Sequence, residues 1–250
     1  MSEFQELGPH ELADEVLALL VTILRDAYDS GQDGDPRSAF IYRHARNISD
    51  LGEDFLHLEA EGRTSAARIV VRPMIESLFR LAAAIKNPEF AAQKMVAELR
   101  DEVAKIKKWS LEDPQFGCMD DIIQGLTGLA ETIKATTGLS TERNWTVYET
   151  AVTADLGQHY SREYFILSKY THSTISGIVS QEYVVGRGHI LQVAIFVMAA
   201  AAGNLVQGVK TTKAQEYLDA ATEIIAATIS LIEKGAFKAF DNLEGKSPPT

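Results

Sequence analysis

The third helix expected from the sequence carries Arg68, Arg72, Glu76 and Arg80 at four-residue intervals. Residues four apart share a helical face, so the row is a cationic stripe broken by one carboxylate. Its neighbours include Ile69, Val70, Val71, Met74, Leu78 and Leu81. A helix that is apolar on most sides is largely buried, and burying an Arg72/Glu76 pair is costly unless further hydrogen bonds complete it. A half-exposed ion-pair stripe, a buried structural network and a ligand or active site all fit such a row.

A second row at the same spacing, Tyr160, Tyr164, Ser168 and His172, lies on a later helix beside Phe165, Ile166 and Leu167. Buried hydroxyl and imidazole groups need partners, and the Arg72/Glu76 pair supplies them if the two helices face each other. Glu76 would then fix the tautomer of His172 and leave its other nitrogen for proton transfer or binding. The catalytic set on this reading is His172, Glu76 and Arg72, with Arg72 stabilising developing negative charge. The ligand-binding set is Arg68, Arg72, Glu76, Tyr164, Ser168 and His172. Guanidinium forks suit phosphate or carboxylate, and Tyr164 offers a ring on which a base could stack. A satisfied core histidine is the plainer alternative for His172.

The elements that must position these rows are helices throughout. Helical spacing recurs along the chain, and no stretch alternates like a sheet strand. The first helix is expected over Pro9–Tyr28. A loop at 31–35 leads to a second helix capped by Asp35, with Pro36 at its start, that ends before Gly62. The third spans about Thr64–Asn87 and contains Pro73, which removes one backbone bond and should bend it. Further helices are expected over Glu89–Lys108, Met119–Ala135, Trp145–Ala154, Ser161–Ser173, His189–Gly208 and Thr212–Lys238. The expected fold is all-α, a single large multi-helix bundle of eight to nine helices with one Pro-bent core helix. One domain covers residues 1–240, followed by a disordered tail at 241–250.

The 250 residues are 46% hydrophobic and 24% charged, ordinary proportions for a globular protein. A net charge of −11 argues against a general nucleic-acid or anionic-membrane surface. It leaves room for one small basic pocket. Cys118 is the single cysteine, so no intramolecular disulfide forms and a cytoplasmic setting is expected. The acidic opening lacks the pattern of a secretory signal. The apolar run Ile190–Ala202 is shorter than a bilayer span needs and reads as a central core helix, so no membrane role is expected.

Other chemistry is sparse. Asp54-Phe-Leu-His57 has half the spacing of a helical dimetal site, but no second copy exists, and neither a metal site nor a cofactor is expected. Asp120 and Asp121 near Cys118 would raise its thiol pKa, which disfavours a catalytic cysteine. Residues 185–189 lack a dinucleotide-binding glycine pattern, and Gly245-Lys-Ser247 lacks the first glycine of a P-loop. Lys105-Ile-Lys-Lys108 reads as a solvated basic face.

The run Arg72-Pro-Met-Ile-Glu76-Ser-Leu-Phe-Arg-Leu, with Asn87-Pro after it, resembles the Arg-x3-Glu helix of an uncharacterised bacterial helical family, a domain of unknown function. Tyr164-Phe-Ile-Leu-Ser168-Lys-Tyr-Thr-His172 is similar to that family's second signature, and Trp145 to its intervening tryptophan. The resemblance covers Ile41 to Gly177. It implies an all-helical fold in which Arg72, Glu76, Ser168 and His172 form a shared polar cluster, and it implies no activity. Arg37-Ser-Ala-Phe-Ile-Tyr-Arg-His44 also resembles the Arg-x4-6-His motif of HEPN-like helical nucleotide-binding proteins, a spacing that chance supplies easily.

Three functions are compatible with these residues. The first is a module binding a small anionic or nucleotide-like ligand, in stress or phage defence. The second is a hydrolase or nuclease-like enzyme using His172. The third is a structural oligomerisation protein. A homodimer is expected from the long apolar C-terminal helices.

Overall fold

Asp35 accepts hydrogen bonds from the Arg37 and Ser38 amides at 3.2 and 3.0 Å, so the donors at the head of the second helix are satisfied as its sequence requires. Such local signals set most of the helix ends in the computed structural model, which describes residues 3–31, 35–112, 119–171 and 186–238. The helices are α1 (Pro9–Asp29), α2 (Pro36–Ala60), α3 (Thr64–Lys86), α4 (Phe90–Glu112), α5 (Asp120–Thr137) and α6 (Val147–Thr153). An interrupted helix α7 follows, built from Gly157–His159, a π-helical turn Tyr160–Tyr164, and Phe165–Thr171. Then come α8 (Arg187–Gly208) and α9 (Ala214–Glu233). No strand occurs among the described residues. The all-α bundle is therefore the observed architecture, and the expected tail at 241–250 lies outside the described residues.

Helix α8 is the axis of the core. Ile190, Leu191, Ala194, Ile195, Met198, Ala201, Ala202 and Leu205 are inaccessible to solvent, and α1, α2, α3 and α9 pack around the helix. It is long and apolar enough to cross a membrane, yet most of it is buried inside this chain. Close approach is built in at its start. A Cβ placed on Gly188 would fall 1.8 Å from the carbonyl oxygen of Phe237.

Helix α3 runs unbroken through Pro73. The carbonyl four residues earlier, on Ile69, loses its donor there, and Ile69 is half exposed, so water can reach it. The far end of α3 is closed from outside. Arg37 Nε and Nη2 donate to the carbonyls of Ala84 and Ile85 at 2.8 and 2.9 Å, which satisfies two orphan acceptors of the last turn. Helices α4 and α5 form a hairpin around a small satellite core of Ala92, Val96 and Ile133.

One helix departs from its expected shape. The expected Ser161–Ser173 helix starts earlier and contains the π turn, which widens the ring by one residue. Within it the neighbours Glu163 and Tyr164 serve two different polar centres.

Candidate functional site

The arginine row and the tyrosine row do meet, through Tyr164. Arg72 Nη2 donates to the Tyr164 hydroxyl at 2.9 Å, and that hydroxyl donates to Glu76 Oε2 at 3.3 Å. Arg72 and Glu76 form no direct ion pair among the described residues, so the expected pair is instead bridged by a phenol. Glu76 Oε1 accepts from Arg80 Nη2 at 2.7 Å, and Arg80 Nη1 lies 3.2 Å from Glu98 on α4. Burial and the Glu76 charge push the Tyr164 hydroxyl above its ordinary pKa, which keeps it a donor.

The chain of bonds continues to Trp145. Lys94 Nζ donates to the Trp145 carbonyl at 3.2 Å, and the indole Nε1 donates to Gln93 Oε1 at 2.9 Å. Burial and the nearby Arg80 hold the Lys94 amine below its ordinary pKa. The guanidinium of Arg143 covers the outer face of the indole at 3.8 Å. In the bridged chain, Arg72 and Arg80 are balanced by Glu76 and Glu98. The enclosed space beside it is about 10 Å³, enough for one water molecule. Most of its polar groups are committed to one another, as in a frame that fixes how α3, α4 and α7 pack.

The remaining expected site residues are placed differently. Arg68 is buried near the start of α3, one turn before Arg72. Ser168 turns back on its own helix and donates to the Phe165 carbonyl at 2.8 Å, which is the usual fate of a mid-helix serine. His172 lies outside the described residues, and so does Cys118.

A second centre lies on the other side of the π turn. A cavity of about 280 Å³ opens between α7, α8 and α9. Its apolar wall includes Val193, Phe196, Ile225, Ile229 and Ile232, and its polar groups are His159, Arg162, Glu163, His189, Gln192 and Thr228. The Glu163 side chain is 9% exposed. His159 Nδ1 stands 3.2 Å from Glu163 Oε2, an oxygen shut away from solvent. Burial pushes the Glu163 carboxyl up, and His159 beside it more than offsets this, holding it below the ordinary glutamate value. It is therefore ionised at neutral pH. The His159 ring stacks on Phe196 at 4.7 Å.

None of these cavity residues was singled out by the sequence rows. The available signal was the four-residue spacing of His159 and Glu163, which share one helical face. Their meeting with Gln192, His189 and the α9 isoleucines depends on tertiary packing.

Two other motifs resolve into structural roles. Arg37, of the Arg-x6-His match, caps α3, and His44 is buried against Phe40 at 4.4 Å. Desolvation, reinforced by Arg80, Arg43 and Lys94, pushes the His44 pKa down to about 3. His57, of the half metal site, sits 3.3 Å from Glu61. Among the described residues no three His, Cys, Asp or Glu side chains converge to hold a metal ion.

No curated protein and no solved structure matches the chain. A family model does match, described as a family of unknown function (DUF5677), over residues 39–186. That span holds all but the first three residues of α2 and runs on through α7, including the Arg72–Tyr164–Glu76 bridge, Trp145, and the His159/Glu163 side of the cavity. With more than half its length matched, and with the arginine helix and the tyrosine helix both inside the match, the chain belongs to the DUF5677 family.

Proposed function

We propose that this chain is a binding module for a small molecule with an apolar body and a hydrogen-bond-donating head, held in the cavity between α7, α8 and α9. The observation that carries this reading is Glu163, an ionised carboxylate whose side chain is only 9% exposed and which stands on the cavity wall. A charge held away from water is costly unless it is paired and hydrogen-bonded, and a donor on a bound molecule would add to the partner that His159 supplies. The isoleucines of α9 and Phe196 would cover an alkyl or aromatic body. A small anionic or nucleotide-like ligand at the arginine row has less support, because Arg72 and Arg80 are balanced there by Glu76 and Glu98 and the space enclosed beside the bridge is small, although Arg72 Nε is itself buried without a hydrogen bond. In the cavity between α7, α8 and α9, Glu163 opposes an anionic head, and Arg162 is the one arginine on that wall among the described residues.

The test is a thermal shift with two probes of equal length, hexylamine and hexanoate. A ligand that binds the folded state raises the melting temperature. The amine is expected to raise it, hexanoate to leave it unchanged, and Glu163→Gln to abolish the difference. Equal responses to both probes, or a response that survives Glu163→Gln, would refute the reading.

The acid–base enzyme remains as a second reading because of one observation. His159 Nδ1 faces Glu163, which leaves Nε2 as the ring nitrogen available to a bound molecule. The proton-transfer role expected of His172 would then belong to His159. Hydrolysis of a short-chain ester probe that falls at least tenfold in His159→Gln would favour it, and an unchanged rate would remove it.

A further inference from the structure

The α4–α5 hairpin carries surface that the rest of the chain does not use. Helix α5 packs against α4, yet Trp109 on α4 and Ile122 and Leu129 on α5 are about half exposed, at 49%, 50% and 49%. Between those two α5 residues stand Gly125 and Gly128, where an added Cβ would meet nothing within 4 Å. Interior glycines weaken a helix, and no packing within the single chain offsets that loss. An open groove of about 500 Å³ runs beside the arm, walled by Arg43 and Arg80 of the body and by Leu126 and Leu129 of α5.

The hairpin carries both signs of charge. Lys105, Lys107 and Lys108 lie on α4 with Glu102 and Glu112, and Asp120 and Asp121 open α5, in a chain of net charge −11. Lys105 and Lys108 reach only along their own helix, to Glu102 at 3.6 Å and Glu112 at 3.7 Å. Asp120 and Asp121 enter no ion pair among the described residues.

We propose that this hairpin is the arm through which two copies of the chain pair. Their apolar faces meet, with Lys105 and Lys108 of one copy against Asp120 and Asp121 of the other. A twofold interface uses one patch twice and must therefore be its own complement. This patch is, with exposed apolar groups and both signs of charge along the same hairpin. Elsewhere the excess of negative charge opposes self-association.

Sedimentation equilibrium of the full chain tests the proposal, with circular dichroism confirming that each variant is folded. The native chain is expected to be dimeric. Lys105→Glu/Lys108→Glu and Asp120→Lys/Asp121→Lys should each weaken the dimer at least tenfold. Mixing the two charge-reversed chains should restore it, since each reversed patch then meets its opposite. A native chain that stays monomeric overturns the proposal, as does a dimer indifferent to both reversals. So do two folded variants that fail to associate when mixed.

Discussion

At the residue scale, one phenol joins two charged side chains from a different helix. The Tyr164 hydroxyl takes a hydrogen bond from Arg72 and gives one to Glu76, and its ring lies 5.9 Å from that of Phe79. Tyr164→Phe keeps the ring packing and leaves both partners short of a bond. Hydrogen bonds to charged groups contribute about 1.5–3 kcal/mol, and denaturant unfolding should show a loss in that range. Binding in the neighbouring cavity should be unaffected, because the hydroxyl faces the other centre. His44 governs acid stability in a similar single-residue way. Its folded pKa of about 3 lies below the ordinary 6.5, so the folded state gains nothing from protonation until pH approaches 3. The unfolded chain takes up the proton below about pH 6.5, and stability from this group, fully present above that value, falls between it and pH 3. The slope is about 1.4 kcal/mol per pH unit at most. His44→Leu should flatten the acid limb of the stability curve, measured by urea unfolding from pH 7 to pH 4.

At the scale of elements, the helices follow signals that are local in the chain. Asp35 with Pro36 starts α2, Gly62 and Asn87-Pro88 bound α3, and apolar spacing sets the buried face of each. The all-helical architecture was therefore legible in the residues, as was the likeness to an uncharacterised family. The π turn was not, because widening one turn leaves no residue-type signature and the tyrosine spacing reads equally well as a regular helix. From that turn Tyr164 meets the arginines and Glu163 the cavity. The arginine row was found from its four-residue period. The cavity was missed because its wall draws on Glu163, Gln192 and Ile229, distant positions joined only by packing. Ser168 was misplaced because spacing cannot tell a hydroxyl aimed at another helix from one bonded to its own carbonyls. Element contacts also set tolerances. Gly188→Ala would drive a methyl group into the Phe237 carbonyl, and overpacking of this kind costs typically about 1–3 kcal/mol. Thermal melting should show that loss, with the remainder of α8 retaining its helicity.

At the scale of the whole molecule, α8 forms the axis, the Arg72–Tyr164–Glu76–Arg80 frame locks α3 to α4 and α7, and the cavity lies where α7, α8 and α9 leave a gap. The family match ends at residue 186, just before α8, so the cavity combines a wall inside the matched segment with a wall beyond it. On the proposed function, a ligand sits at Glu163 and not at the arginine row. Amide chemical-shift mapping during titration with hexylamine tests it most directly. The account predicts perturbations confined to α7, α8 and α9 around Glu163, Gln192 and Ile229, and lost in Glu163→Gln. Perturbations centred on Arg72, Arg80 and Lys94, or none at any site, would contradict it.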